Sequence, residues 1–321
     1  MALLTGKRIA VIMGGRSAER EVSIKSGSAI LSSLKRSGYD AIPIEMDEKI
    51  AENIKGNNIG VAFIALHGPG GEDGSLQGLL EIIGIPYTGS GVLASALGLN
   101  KAASRKIFLY HNIQVPPFLI ARRDEKTDIE SILGKLTFSF PLVVKPCCQG
   151  SSIGVSIVKE KVGLKEAIDE AFRYDSEILI EKFIDGREIH VGILGDKPLG
   201  AIEILSKGEF YDYEAKYVPG MSDHIFPAPL EEGLYRRVLE AGLSAHNAIG
   251  CEGYGRTDCL VNGSGDIFIL EVNTLPGMTE TSLLPEIAGK SGIGFDALVE
   301  KILGFALKRF IPSLPSEQGE H

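Results

Sequence analysis

The sequence predicts an α/β protein that opens with a doubly wound parallel sheet and continues as an α+β unit. Up to about residue 100, short apolar strands alternate with helical periodicity. Beyond Asn100 that simple alternation stops, and near the end a long antiparallel hairpin stands out.

The elements follow in order. Arg8–Met13 is a strand broken by Gly14-Gly15. A helix begins between Ser17 and Ser23, ends at Gly38 and turns Ile30 and Leu34 inward. Ala41–Glu45 alternates as a strand. Val61–Leu66 is continuously apolar, as a parallel strand covered on both faces should be. Leu76, Leu79, Leu80 and Ile83 recur at helical spacing until Gly84 stops the helix. This gives a first sheet of three or four strands. A helix over Lys101–His111 follows an Asn100 cap, then come a strand over Val115–Ala121, a helix, and the strand Pro141–Lys145. After the loop Gln149–Gly154 the pattern gives another strand, a helix over Gly163–Tyr174, and strands at Glu177–Phe183, Glu188–Leu194 and Leu199–Leu205. An irregular stretch, Phe210–Leu230, precedes helix Leu234–Ile249, hairpin Tyr254–Asn273 and a last helix from Phe295 to Phe310. So long an irregular stretch inside a compact domain reads as a lid or binding loop. The tail is rich in Pro, Ser, Gln and Gly and reads as disordered.

Composition narrows the classes. A chain of 321 residues, 44% hydrophobic and 23% charged, is globular and fits two or three domains. No apolar run approaches the ~18 residues of a membrane helix, and the N-terminal apolar residues lead straight into a strand without a separate signal segment. The net charge of −9 and the lack of a Lys/Arg cluster argue against nucleic-acid binding. Cys147, Cys148, Cys251 and Cys259 lack zinc-ligand spacing and read as reduced thiols, which points to the cytoplasm.

Four segments carry chemistry. In the last hairpin, folding about Asn262–Asp266 sets Asp258 almost opposite Glu271, with Asn273 on the same face as Glu271 and Arg256 on that of Asp258. Two carboxylates and an amide oxygen suit a hard cation such as Mg²⁺, and without one the carboxylates would repel. Arg256 offers a fork for a carboxylate, phosphate or developing oxyanion. An ordinary solvated hairpin face is the plainer alternative. The segment KPCCQGSSIGVSIV, residues 145–158, puts Lys145 at the base of a Gly/Ser loop that could cradle phosphate, although any Gly/Ser hairpin looks similar and no P-loop motif occurs. In GGRSAERE, residues 14–21, Glu19 lies near a helix start, where a carboxylate is also simply favourable against the dipole. HGPGGEDGSLQG, residues 67–78, leaves the end of a buried parallel strand, so His67 sits where open α/β sheets bind small ligands.

Taken in order, GGRSAEREVS, HGPGGEDG, YTGSG with Lys101, KPCCQGSSIGVS, EAKY at 214–217, GRTDCLV around Arg256 and EVNTLPGMTETSLLP at 271–285 resemble the D-alanine–D-alanine ligases of the ATP-grasp superfamily, from about Lys7 to Phe310. The resemblance implies an N-terminal Rossmann-like pre-ATP-grasp domain (residues 1–99), a central ATP-grasp subdomain (100–184) and a C-terminal one (185–312), before the tail 313–321. It implies ATP contacts at Lys101, Lys145, Glu181, Lys182, Ile184, Glu188 and Lys216. Two Mg²⁺ ions, replaceable by Mn²⁺, would be held by Asp258, Glu271 and Asn273. Glu19, Ser151 and Tyr217 would hold the ammonium of the first D-alanine, with His67 near its carboxylate. Ser282 and the Leu283 amide would take the second carboxylate, and Arg256 with the Gly277 amide the tetrahedral intermediate. A homodimer working in peptidoglycan synthesis is also implied. Two departures stand out: Arg20 where the first motif often has histidine, and Cys147-Cys148-Gln149 in a loop that more often carries charge. A ligase using D-lactate or D-serine on the same scaffold is the nearest rival; another ATP-grasp ligase should lack the EAKY and HGPGGEDG pair, and a non-catalytic regulator should lack a metal ligand.

Overall fold

The computed structural model describes residues 6–123, 129–206 and 222–310. Strands β1 (Arg8–Met13), β2 (Ala41–Glu45) and β3 (Ile59–Ile64) form a parallel sheet in the order β2-β1-β3. A fourth strand is reduced to one parallel bridge between Ala62 and Tyr87. Helix α1 (Arg20–Arg36) buries Ile30 and Leu34 as their spacing predicts. Helix α2 (Ile50–Gly56) is too short to show a period, with only Ile50 and Ile54 buried. Helix α3 (Ser75–Ile82) is followed by α4 (Val92–Leu99), whose sequence VLASALGL has no polar face to give an amphipathic signal. Helix α5 (Lys101–Tyr110) starts at the predicted cap, where the Asn100 side chain accepts from the Ala103 N–H at 2.9 Å.

The second sheet contains β4 (Phe118–Arg122), β5 (Leu142–Pro146), β6 (Ser156–Val158) and β7 (Glu177–Lys182), antiparallel in the order β4-β7-β5-β6. The expected strand from Val115 begins only at Phe118, because Pro116 and Pro117 offer no N–H to a ladder. Helices α6 (Ile129–Lys135) and α7 (Leu164–Tyr174) share its core. The third sheet runs β10-β9-β8-β11-β12, from β8 (Gly186–Leu194), β9 (Lys197–Ser206), β10 (Ser222–Ile225), β11 (Tyr254–Asn262) and β12 (Ile267–Asn273), and α8 (Glu232–Ala248) packs on it. Here the irregular stretch expected over Phe210–Leu230 needs correction. Ser222–Ile225 is a strand antiparallel to β9, hidden in sequence because three of its four residues are polar. Residues 207–221, with Lys216 and Tyr217, and the predicted tail lie outside the described residues.

Helices α9 (Leu283–Lys290) and α10 (Phe295–Arg309) return the chain to the first sheet. Leu284, Ala288, Leu298, Ile302 and Leu303 share one apolar core with β1 and β3. Each such fully buried Leu or Ile side chain contributes roughly 1.5–3 kcal/mol, so both ends of the sequence stabilise the sheet that carries the N-terminal loops.

One buried group strains this arrangement. His246 on α8 is fully buried against Gly255, and neither ring nitrogen has a partner among the described residues. Burial pushes its pKa down to about 4. Because the folded value lies below the unfolded one, the unfolded chain takes the proton first as pH falls. The stability is therefore complete above about pH 6.5 and is lost toward pH 4, by about 3 kcal/mol from this residue. Urea unfolding of His246→Leu between pH 7.5 and 4.5 should show a flatter decline than the parent. Parallel declines would mean that His246 is not the source.

Candidate active site

A cleft of about 460 Å³ lies between the second and third sheets. Its walls are the start of α5, β5 with the loop after it, the crossover from β7 to β8, part of β9, and the β11–β12 hairpin. Crossover residues Lys182, Ile184 and Glu188 line it, as the resemblance implied for the nucleotide, together with Lys101, Lys145, Ser151 and Glu181.

The hairpin register is the one expected: Asp258 pairs with Glu271 and Arg256 with Asn273. Both carboxylates face the cleft, and protein cations neutralise them. Arg256 grips Asp258 with Nε and Nη2, each at 2.7 Å, while His190 Nδ1 lies 2.7 Å from Asp258 Oδ1. Burial alone would raise the Asp258 carboxyl, but Arg256 and His190 outweigh it and hold the group well below the usual carboxylate range. Across the hairpin, Lys101 Nζ lies 3.0 Å from Glu271 Oε2 and donates to the Gln149 carbonyl at 2.7 Å. Burial works to lower the Lys101 pKa, and Glu271 outweighs it, so the ammonium stays charged.

Glu181 anchors the opposite wall. It is buried between Lys145 Nζ at 2.7 Å and Arg105 Nη2 at 2.5 Å. Burial favours its neutral form, but the two cations prevail and its pKa is lowered. Arg105 is fully buried on α5 and also donates to the Ile269 carbonyl of β12, so one guanidinium ties both sheets of the cleft to the helix. Sequence reasoning missed Arg105, although its position one helical turn after Lys101 was a usable signal.

At the end of the cleft the N-terminal loops arrive. Ser151 Oγ donates to Glu19, joining the loop after β5 to the start of α1. Glu19 is enclosed by backbone: a Cβ at Gly150 would come within 2.9 Å of its Oε2, and one at Gly68 within 3.2 Å. His67 is buried beside them, 3.4 Å from Ser26 Oγ, and burial lowers its pKa against the opposing pull of Glu19. Ser26 also accepts from the Met278 N–H at 3.1 Å, which draws the loop after β12 to the same place. In that loop Gly277 abuts Ser282, since a Cβ there would lie 2.8 Å from Ser282 Oγ. Ser282 stands at the N-cap position of α9 with its Oγ accepting from the Thr279 N–H at 3.0 Å, and Leu283 buries its side chain in a small core while opening the first helical turn, where N–H groups lack intrahelical acceptors. Apart from Lys216 and Tyr217, the structure therefore gathers the predicted residues around one cleft and its end.

The donor set fits a hard cation. Among the described residues no three His, Cys, Asp or Glu side chains could hold a metal by themselves. Asp258, Glu271 and the Asn273 amide, whose Oδ1 accepts from Leu275 N–H at 3.0 Å, supply oxygens only and need others from phosphate or water. The cysteines are free thiols; burial pushes Cys148 up to about 12, which leaves it unreactive beside the cleft.

Two antiparallel sheets closing on a cleft, lysines on one wall and opposed carboxylates on the other, define the ATP-grasp fold. Residues 107–304 match the family described as D-ala D-ala ligase C-terminus, and residues 8–53 and 47–90 match D-ala D-ala ligase N-terminus. The chain is 58% identical over 303 residues to a D-alanine–D-alanine ligase of Geotalea uraniireducens, covering 94% of this chain and 96% of that protein. A D-alanine–D-alanine ligase of Geobacter sulfurreducens is 54% identical over 297 residues, covering 92% and 93%. The crystal structure of D-alanine–D-alanine ligase from Bacillus anthracis complexed with ATP has a TM-score of 0.83 and 38% identity, covering 95% of this chain and 98% of that one. The VanG D-Ala:D-Ser ligase of Enterococcus faecalis has a TM-score of 0.81 and 33% identity, covering 94% and 99%. The chain belongs to the D-alanine–D-alanine ligase family. No helix among the described residues is long and apolar enough to cross a membrane.

Glu72, within the HGPGGEDG segment, is a further buried carboxyl that the sequence did not single out. It accepts from the Gly68 N–H at 2.7 Å, and burial, then Glu19, raise its pKa to about 8. An acid whose folded pKa exceeds its unfolded one keeps its proton longer when folded. Its contribution is complete below about pH 4.5 and is lost as pH rises to about 8. Glu72→Gln preserves the acceptor without the charge. It should be more stable than the parent at pH 8, on the order of 2–4 kcal/mol, and equal near pH 4.5, in thermal unfolding without substrates. A difference that does not grow with pH would contradict the buried neutral carboxyl.

Proposed function

We propose that this chain phosphorylates the carboxylate of one D-alanine with ATP and joins the acyl phosphate to the amine of a second, giving D-alanyl-D-alanine, ADP and phosphate for peptidoglycan synthesis. The observation that carries the reading is the meeting of the cleft's lysines and opposed carboxylates with the Glu19–Ser151 pair at its end.

In this reading Glu181, Lys182 and Ile184 meet adenine, Glu188 meets the ribose, and Lys101 and Lys145 face the phosphates. Asp258, Glu271 and Asn273 would hold two magnesium ions, which Mn²⁺ could replace. Bound magnesium would supply neutralisation of the phosphate oxygens, which otherwise repel an attacking carboxylate. Glu19 with Ser151 takes the first ammonium, and His67 turns toward the first carboxylate. Lys216 and Tyr217 join on sequence grounds, Lys216 gripping the transferred phosphate. Ser282 and the Leu283 N–H place the second D-alanine by its carboxylate. Its amine then attacks the acyl carbon, the oxyanion gathers charge beside Arg256 and the Gly277 N–H, and phosphate leaves with the oxygen that bridged it. Because the acyl phosphate would hydrolyse in water, enclosure of the cleft is part of the chemistry. A cytoplasmic homodimer belongs to the same proposal.

Purified protein with ATP, magnesium and D-alanine should release phosphate only when D-alanine is present, with dipeptide seen by mass spectrometry. Glu271→Ala should remain folded and lose at least about 100-fold in kcat, ~3 kcal/mol. Phosphate release independent of D-alanine, or near-normal turnover by folded Glu271→Ala, would contradict the proposal.

A further inference from the structure

Glu188 and His190 lie two residues apart on β8 and so face the same side of the sheet. His190 stands directly across the ladder from Asp258 on β11. Its ring is almost fully buried, with Nε2 donating to Glu188 Oε1 at 2.9 Å and Nδ1 lying 2.7 Å from Asp258 Oδ1. Asp258 is in turn gripped by Arg256 at 2.7 Å through both oxygens. The four side chains form a polar line from the crossover wall of the cleft to the Arg256 guanidinium, in which the Nδ1–Asp258 approach is a close ionic contact without the alignment of a hydrogen bond.

This line calls for an explanation. Burying two carboxylates and an imidazole between strands gains little stability over apolar residues of similar volume, because desolvation offsets the attraction. What a buried polar line does provide is orientation, since each member fixes the angle of the next, and side chains behind metal ligands commonly act in this way. Glu188 is the more exposed end, with its side chain 24% exposed, whereas those of His190 and Asp258 are 2% and 6% exposed. A hydroxyl that donates to Glu188 would fix that end as well.

We propose that His190 is a positioning residue that links ribose recognition at Glu188 to the orientation of Asp258 and Arg256, so that the nucleotide sugar as well as its phosphates prepares the reaction centre. The link rests on the nucleotide placement proposed above. Two ring nitrogens let the two halves be separated. In His190→Asn the amide nitrogen stands near the place of Nδ1 and can keep the tie to Asp258, but it cannot reach Glu188. In His190→Phe the ring remains and both ties are lost.

The test uses the full chain in these three forms, checked for folding by thermal melts. Mn²⁺ binding in the presence of ADP is followed by electron paramagnetic resonance, and kcat and KM are measured with ATP, 2′-deoxy-ATP and 3′-deoxy-ATP. The parent should lose kcat as well as affinity, roughly tenfold, with at least one deoxynucleotide. In His190→Asn the kcat penalty should shrink to about twofold or less while Mn²⁺ affinity stays within about threefold of the parent. In His190→Phe Mn²⁺ affinity should fall about tenfold or more. A kcat penalty that persists unchanged in His190→Asn overturns the link, and so does parental Mn²⁺ affinity in folded His190→Phe. Failure of the underlying placement looks different: a parent that treats all three nucleotides alike overturns the ribose assignment at Glu188 and the sugar's share of the link with it.

Discussion

Two carboxylates placed directly opposite each other across an antiparallel hairpin are the constraint around which the molecule is arranged. Asp258 and Glu271 cannot both stay ionised in a partly buried place unless positive charge shares it. The protein supplies that charge from three directions: Arg256 from the same strand, His190 from the neighbouring strand, and Lys101 from the first residue of α5. Each cation therefore marks an element that must stand where it does. Removing the acidic pair would leave these positive groups repelling one another on β8, β11 and α5, so the pair also ties the start of that helix to the third sheet.

Glu181 repeats the arrangement on the facing wall, one buried carboxylate between two cations. Arg105 satisfies Glu181 from within the protein, which leaves Lys145 at the cleft surface as the partner able to turn to another anion. The third region is built differently. Glu19 and His67 reach the end of the cleft because the parallel sheet ends its strands there, and helices α9 and α10 pack into that sheet's core. The last helices thus hold the first loops against the hairpin, and Ser26 fastens the joint by bonding both His67 and Met278.

Much of this was legible in the sequence where one physical period dominates. The hairpin register followed from alternation and a five-residue turn, and the Asn100 cap from a side-chain oxygen suited to the N–H groups that lack acceptors at a helix start. Helix α4 was illegible because it is apolar on every face, and β10 because it is an edge strand with one apolar residue. Among candidate site residues, the ordered motifs named most of those that the structure places around the cleft and its end. Arg105, His190 and Glu72 were not named: Arg105 meets Glu181 across 76 positions of sequence and His190 meets Asp258 on another strand, while Glu72 is set apart by burial and not by a motif. No local pattern encodes such a pairing. Lys216 and Tyr217 rest on sequence reasoning alone, and the described residues add nothing to them.

In the proposed function the charges around the cleft serve a single step, the transfer of a phosphoryl group to a carboxylate oxygen. The most direct measurement follows that oxygen. D-alanine carrying ¹⁸O in its carboxylate is turned over with unlabelled ATP, and the inorganic phosphate is analysed by mass spectrometry or ³¹P resonance. Formation of the acyl phosphate leaves one labelled oxygen bridging carbon and phosphorus, and amine attack breaks the bond between that oxygen and carbon. The account predicts one ¹⁸O in the phosphate for each dipeptide made, with ADP as the other product. Unlabelled phosphate, or AMP in place of ADP, would contradict it.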